Sequence, residues 1–156
     1  MTDAAAGPCV IETARLVLRP PRAEDFPPWA AFMADPEATR HIGGVQPASV
    51  AWRGMAQVAG SWALQGFGMF SLIEKAAGDW IGRAGPWRPH GWPGAEVGWG
   101  IVRSRWGQGL ALEAAAASMT YAVDVLGWDD VVHAIAPENA ASQALARRVG
   151  SVNRGP

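Results

Sequence analysis

The stretch that most limits what this chain can fold into runs from Glu96 to Glu113. Glu96-Val97-Gly98-Trp99-Gly100-Ile101-Val102 is apolar and partly β-branched, and reads as a strand. Arg103 to Gln108 reads as a loop containing Gly107, and Gly109 stands two residues further on. Gly109-Leu110-Ala111-Leu112-Glu113 then opens a long alanine-rich helix predicted over 109–126. A loop of this kind turns several backbone N–H groups toward one point. The helix adds its unpaired first donors and the positive end of its dipole, so the junction suits a phosphate.

The rest of the chain builds a sheet around that unit. Arg15-Leu16-Val17-Leu18-Arg19 alternates and predicts a first strand, stopped by Pro20-Pro21. Residues 24–34 predict a short helix, with Pro27 and Pro28 tolerated in its first turn. Residues 47–64 predict a second helix, because Val50, Trp52, Met55, Val58, Ala59, Trp62 and Ala63 recur at three- and four-residue steps. Strands are predicted over 67–74 and 80–85, and a proline- and glycine-rich loop over 86–94. Val131-Val132-His133-Ala134-Ile135-Ala136 predicts a fifth strand, apolar enough for burial on both faces. Residues 140–149 predict a last helix. The unit of fourth strand, helix and fifth strand makes those two strands parallel. The first four can pair antiparallel through short turns, so the expected class is α+β with a mixed sheet.

Composition narrows the partners. At 156 residues, with 49% hydrophobic and 17% charged residues, the chain is expected to form one domain with a real core. A net charge of −1 argues against a broad nucleic-acid surface. No apolar run has transmembrane length and no charged-then-apolar leader precedes the first strand, so no membrane partner is expected and the location expected is cytoplasmic. The lone Cys9 is placed in a loose tail over 1–10, and no Cys/His spacing suggests a metal. Trp80, Trp87, Trp92, Trp99 and Trp106 cluster in one segment and read either as core or as a pocket wall.

Four motifs, in order, resemble the GNAT superfamily of acyl-CoA N-acyltransferases, nearest its ribosomal-protein N-terminal acetyltransferase (RimJ/RimL-like) branch. Glu12-Thr13-Ala14-Arg15-Leu16-Val17-Leu18-Arg19 is similar to that branch's opening strand. Gly94-Ala95-Glu96-Val97-Gly98-Trp99 is similar to its fourth strand, and Trp106-Gly107-Gln108-Gly109-Leu110-Ala111-Leu112-Glu113-Ala114 to its pyrophosphate loop. Ala136-Pro137-Glu138-Asn139-Ala140-Ala141-Ser142 is similar to its junction of fifth strand and helix. The resemblance implies a mostly antiparallel sheet whose parallel fourth and fifth strands splay around acetyl-CoA. It implies that Trp99, Ile101 and Val102 meet the pantetheine, with Asn139 reaching it from the far side. It implies that Trp106, Gly107, Gln108, Gly109, Leu110 and Ala111 hold the pyrophosphate. Arg103, Arg105, Arg147 and Arg148 read either as phosphate contacts or as solvated surface charges.

The implied activity is direct transfer of an acetyl group from the thioester to a primary amine. That chemistry needs a neutral amine, a donor for the developing oxyanion and a proton for the leaving sulfur. Glu96 is the candidate base or water-orienting group; the alternative is a carboxylate that binds the substrate ammonium or pairs with an arginine. Ser142 is the candidate proton donor; the alternative is a hydroxyl that bonds backbone at a helix start. The superfamily often places a Tyr where this chain has Ala146. Gly98 and Gly100 predict a bulge that would aim backbone N–H groups near Trp99 at the thioester oxygen. His133 is expected to sit in the core or on a sheet face.

The acceptor, a small-molecule or peptide amine, is expected to face Phe32, His41, Trp52, Trp62 and the loop over 86–94. The family fold continues past the last helix with a two-stranded hairpin, whereas here only Gly150-Ser151-Val152-Asn153-Arg154-Gly155-Pro156 follow. The fifth strand is thus expected to be an open edge, covered by a homodimer partner or by further chain. A non-catalytic acyl-CoA-binding or sensing module is the competing function. A P-loop nucleotide-binding protein is a third and weaker reading, because no Lys-Ser/Thr follows the glycines.

Overall fold

The computed structural model describes residues 9–156. Of the tail expected over 1–10, residues 1–8 lie outside that range. Chain order is β1 (Ile11–Glu12), β2 (Leu16–Arg19), α1 (Phe26–Ala34), α2 (Ala48–Gln65), β3 (Phe70–Glu74), β4 (Trp80–Trp87), β5 (Glu96–Ile101), α3 (Leu110–Thr120) and α4 (Ala140–Arg148). The five strands form one antiparallel sheet in the order β1-β2-β3-β4-β5. With the parallel bridge described below, this is the expected mixed α+β architecture.

Alternation within the strands explains the two cores. Leu16, Leu18, Phe70, Leu72, Ala84 and Ile101 face Leu110, Ala114 and Tyr121 on the α3 side. On the other side Trp29, Phe32, Met33, Ala51, Met55 and Val58 pack with Met69 and Trp80. In α2 the buried residues Ala51, Met55 and Val58 follow helical spacing, and Gly66 closes the helix in the left-handed region at φ +77°. Pro27 and Pro28 do fall in the first turn of α1. A buried network anchors that turn to the sheet. Arg19 donates to both oxygens of Asp25 at 2.9 and 2.8 Å, and Asp25 also accepts from Arg22 N–H at 2.8 Å and Ser71 Oγ at 2.7 Å. Burial pushes the Asp25 carboxyl up, but Arg19 and the other donors outweigh it and hold it below the usual range.

Several expected boundaries shift. The first strand predicted over 15–19 is β2, but the longer opening motif 12–19 is interrupted and β1 precedes it, because Thr13 turns the chain through its N–H bond to the Leu16 carbonyl at 2.9 Å. Cys9 is not loose: it packs half-buried against the α3-side core, beside Tyr121. Burial, helped by that neighbour, pushes the Tyr121 hydroxyl up to about 12. β4 extends through Pro86 and Trp87, so the loop begins later than expected. The helix predicted over 109–126 is α-helical only to Thr120. It widens into a π turn over Tyr121–Val125, in which Leu126 N–H reaches the Tyr121 carbonyl at 3.1 Å.

The largest correction concerns 131–136. These residues do not form a strand buried on both faces. A single parallel bridge joins Val132 to Glu96, and the segment is half-buried or exposed. Val97 N–H donates to the Val132 carbonyl at 3.1 Å, and Val132 N–H to the Ala95 carbonyl at 2.9 Å. The ladder stops there, for a reason that belongs to the site.

Candidate active site

The ladder stops because two side chains take its next hydrogen bonds. In a regular parallel pair the Val97 carbonyl would accept from Ala134 N–H. Here it meets His133 Nδ1 at 2.7 Å, while Ala134 N–H donates to Glu96 Oε1 at 3.3 Å. A carbonyl can only accept, so Nδ1 carries the proton and Nε2 accepts from Ser151 Oγ at 2.7 Å in the neutral ring. His133 is thus neither a core residue nor a bare sheet-face residue. It is a strut that keeps β5 and 131–136 apart.

Beyond that point the edge of β5 is open. Val97 points its backbone groups to this edge, so alternation turns those of Trp99 and Ile101 the same way. Val102 is the exception among the expected pantetheine contacts. Its N–H is spent on the Ile81 carbonyl at 2.8 Å, toward β4. The Ile101 carbonyl is also taken, by Trp106 Nε1 at 2.8 Å. The expected bulge at Gly98 and Gly100 is absent: the β4–β5 register is unbroken from Gly82↔Ile101 to Trp87↔Glu96. Gly100 is explained by close approach instead, because a Cβ there would stand 3.0 Å from the tip of Phe32.

The loop after β5 forms a cradle. Trp106 N–H is spent on the Arg103 carbonyl at 3.2 Å. From Gly107 to Leu112 no backbone carbonyl accepts the N–H groups among the described residues. Gly107 and Gly109 turn the chain at φ +74° and +75°, a region that side-chain-bearing residues rarely enter. Gly109 also occupies the N-cap of α3, so no capping side chain competes for those donors. The other side of the loop is fastened to the opening hairpin. Arg15 Nη1 donates to the Gln108 carbonyl at 2.8 Å, and its Nε to Glu113 Oε1 at 2.9 Å. Glu113 Oε2 accepts from Thr13 Oγ1 at 2.6 Å and from Arg15 N–H at 2.9 Å. Burial raises the Glu113 carboxyl, yet these donors hold it below the usual range. The motif Thr13-Ala14-Arg15 therefore reads as a clamp on the cradle, a role invisible without the long-range contact.

Glu96, Trp99, Asn139 and Ser142 come together along one cleft of about 510 Å³, bounded also by Trp29, Met33, His41, Arg83, Trp87 and Trp92. Glu96 is fixed at both oxygens, by Ala134 as above and by Trp92 Nε1 to Oε2 at 2.6 Å. Asn139 caps α4, its Oδ1 accepting Ser142 N–H at 3.1 Å. Ser142 Oγ accepts the Trp99 indole N–H at 3.2 Å, which leaves its own proton free to donate. Among the expected acceptor contacts, His41, Trp87 and Trp92 line this cleft. Phe32 is buried beneath Gly100, Trp62 donates to the Met69 carbonyl at 2.9 Å, and Trp52 is an exposed residue outside the cleft. Arg103 pairs with Asp35 at 3.1 Å, and Arg105 with Glu74 and Asp79 at 2.8 and 3.5 Å; Arg147 and Arg148 are exposed.

Among the described residues no helix is long and apolar enough to cross a membrane, and no three His, Cys, Asp or Glu are grouped to hold a metal ion. Comparison with known proteins gives the architecture a family. A model of the acetyltransferase (GNAT) domain matches residues 15–152. The uncharacterized N-acetyltransferase p20 of Bacillus licheniformis is 30% identical over 146 residues, which cover 92% of this chain and 82% of that protein. The crystal structure of an acetyltransferase from Agrobacterium tumefaciens superposes with a TM-score of 0.86 at 30% identity, over 95% of this chain and 87% of that one. RimL, a ribosomal L7/L12 alpha-N-protein acetyltransferase solved with coenzyme A, superposes at 0.78 over 94% and 86% of the two chains. At 18% identity that last likeness is one of fold alone. A glycine cradle, a splayed strand edge and this match over nearly the whole chain agree: the protein belongs to the GNAT acetyltransferase family.

Proposed function

We propose that this protein acetylates a primary amine, with acetyl-CoA as the donor. One observation carries the reading: Glu96 and the Ser142 hydroxyl line the same cleft beside the open edge of β5, one turn of chain away from the N–H cradle. The free donors from Gly107 to Leu112 suit a pyrophosphate, and the free edge at Trp99 and Ile101 suits an amide-bearing arm. Bound acetyl-CoA would supply a thioester carbonyl for attack by the amine.

The chain's own residues then have separate tasks. Glu96 binds the acceptor ammonium and draws off its proton, directly or through one water. Trp92 and Ala134 N–H fix the rotamer of that carboxylate. Ser142 holds a donor proton on the opposite wall, oriented by the Trp99 indole. Asn139 positions Ser142 through the helix cap and offers its amide N–H₂ to the cleft. A peptide α-amine, with a pKa near 8, needs little deprotonation and fits a partly fixed carboxylate better than a lysine amine near 10.4. This agrees with the acceptor class of the RimL-like branch.

The test is thiol release from acetyl-CoA over a panel of amines, with acetyl-CoA binding followed by calorimetry. Glu96→Gln is expected to lower kcat/KM about 100-fold and Ser142→Ala about tenfold, both with acetyl-CoA affinity kept. Tight acetyl-CoA binding without turnover on any amine would point instead to a sensing module.

A further inference from the structure

Among the described residues, Arg83 is a cation without a counter-charge. It lies in mid-β4, opposite Gly100 of β5 and Ser71 of β3, and lines the cleft. Its guanidinium sits over the Trp29 ring, 5.0 Å from the centroid. Among the described residues no carboxylate or hydrogen-bond acceptor meets it. The other arginines of this region are each engaged: Arg19 with Asp25, Arg103 with Asp35, Arg105 with Glu74. Burial pushes Arg83 down to about 10, so it stays charged at neutral pH. Holding a charge in such a place is unfavourable, and one aromatic face offsets only part of the cost. A group kept there unpaired is poised for an incoming anion.

The sheet face between Arg83 and Glu96 carries few side chains of its own, and Phe32 and Met69 pack against its glycines. Alternation puts Arg83, Gly85 and Trp87 of β4 on one face with Glu96, Gly98 and Gly100 of β5. Three of these six are glycines. Glu96 and Arg83 thus mark opposite ends of a low, glycine-bearing floor on which Met69 also lies, walled by Trp29, Met33 and Trp92. Four residues along β5 span about 13 Å between backbones at roughly 3.4 Å per residue. That length suits an acceptor larger than a single amino acid.

We infer that Arg83 is the anion-binding group of the acceptor subsite, and that the acceptor is a dipeptide-sized amine with a carboxylate at the end away from its amine. The inference rests on the acetyltransferase reading above. A carboxylate is favoured over a phosphate dianion because Arg83 is the one Arg or Lys among the residues lining the cleft, so a single negative charge balances it. The planar guanidinium fork matches a carboxylate bidentately. The apolar walls would hold the body of the molecule between its charged ends.

The test compares glycyl-phenylalanine with glycyl-phenylalaninamide as acceptors. It also titrates N-acetyl-glycyl-phenylalanine, which has no amine to react, by calorimetry. The wild type is expected to favour the acid over the amide by about tenfold in kcat/KM, as one charge-assisted contact would give. Arg83→Gln and Arg83→Met, the second keeping an apolar stem on Trp29, are expected to bring that ratio near one through KM. Arg83→Lys is expected to retain part of it. The N-acetyl peptide is expected to bind the wild type and not the Gln or Met variants. Turnover with no preference for the acid, or a preference that survives in both neutral variants, overturns the subsite and leaves the transferase reading standing. Arg83-dependent binding of the N-acetyl peptide without turnover of any amine upholds the subsite and overturns the transferase reading.

Discussion

Two parts of the site, the cradle and the cleft wall at 131–136, are held in opposite ways. The cradle at Gly107–Leu112 is fastened from behind by Arg15, Thr13 and Glu113, through four hydrogen bonds that join segments about a hundred residues apart. The cleft wall at 131–136 has one parallel bridge, the His133 strut and the Glu96–Ala134 contact. The cradle is over-determined and the cleft wall barely determined. The difference fits what the proposed function asks of each. A cradle of backbone donors is useful only if it is already in place when an anion arrives. A strand edge that takes in an extended arm has to stay unpaired, so it cannot be stabilised by the ladder that holds strands elsewhere.

The contrast can be broken at three points. Gly109→Val should do most: a β-branched residue at φ +75° is strained by about 1–3 kcal/mol. It would also distort the donor ring, so acetyl-CoA affinity is expected to fall about 100-fold. Unchanged affinity by calorimetry would remove the cradle assignment. Glu113→Gln comes next. Because the folded carboxyl is held below its ordinary value of 4.5, its stabilisation is present above that pH. It is lost as pH falls through the lowered folded value. The variant should melt earlier at pH 7, by about 1 kcal/mol given the half-exposed Arg15 partner, and that deficit should shrink below pH 4.5. A deficit that does not depend on pH would show the clamp to be packing, not charge. The smallest effect is expected from His133→Ala. It frees the Val97 carbonyl for Ala134 N–H, so the slot can zip further. Stability should change by about 1 kcal/mol or less while acetyl-CoA affinity falls about threefold. Faster hydrogen exchange at Val97 in this variant would instead mean that the strut had been holding the bridge together.

The same contrast explains what was legible in the sequence. The cradle is local: Gly107, Gly109 and an alanine-rich helix start sit side by side in the chain, so their geometry follows from backbone preferences alone. Antiparallel β2–β5 and helices α1 and α2 were legible for the same reason, from alternation and helical spacing. The cleft wall was misread because Val131, Val132 and Ile135 carry strand propensity, whereas pairing depends on which side chain reaches a carbonyl first. Nothing local marks His133 and Glu96 as the groups that interrupt a ladder. Gly98 and Gly100 were misread as a bulge because a glycine's purpose depends on its neighbour across space, here Phe32 from α1. Arg83 left no signal at all. An unpaired cation is defined by the carboxylates that do not meet it.

Three of the tryptophans have a consequence for how this protein can be watched. Trp92, Trp99 and Trp106 each spend their indole N–H on a different part of the site: Glu96, the Ser142 hydroxyl and the Ile101 carbonyl. Indole emission depends on the partner of that N–H and on nearby water. The chain therefore carries three built-in optical probes, one beside Glu96, one beside Ser142 and one at the mouth of the cradle. Under the proposed function, arrival of an amine, loading of the slot and filling of the cradle should each perturb a different ring, and Trp→Phe variants at the three positions would separate these signals from those of the other six tryptophans.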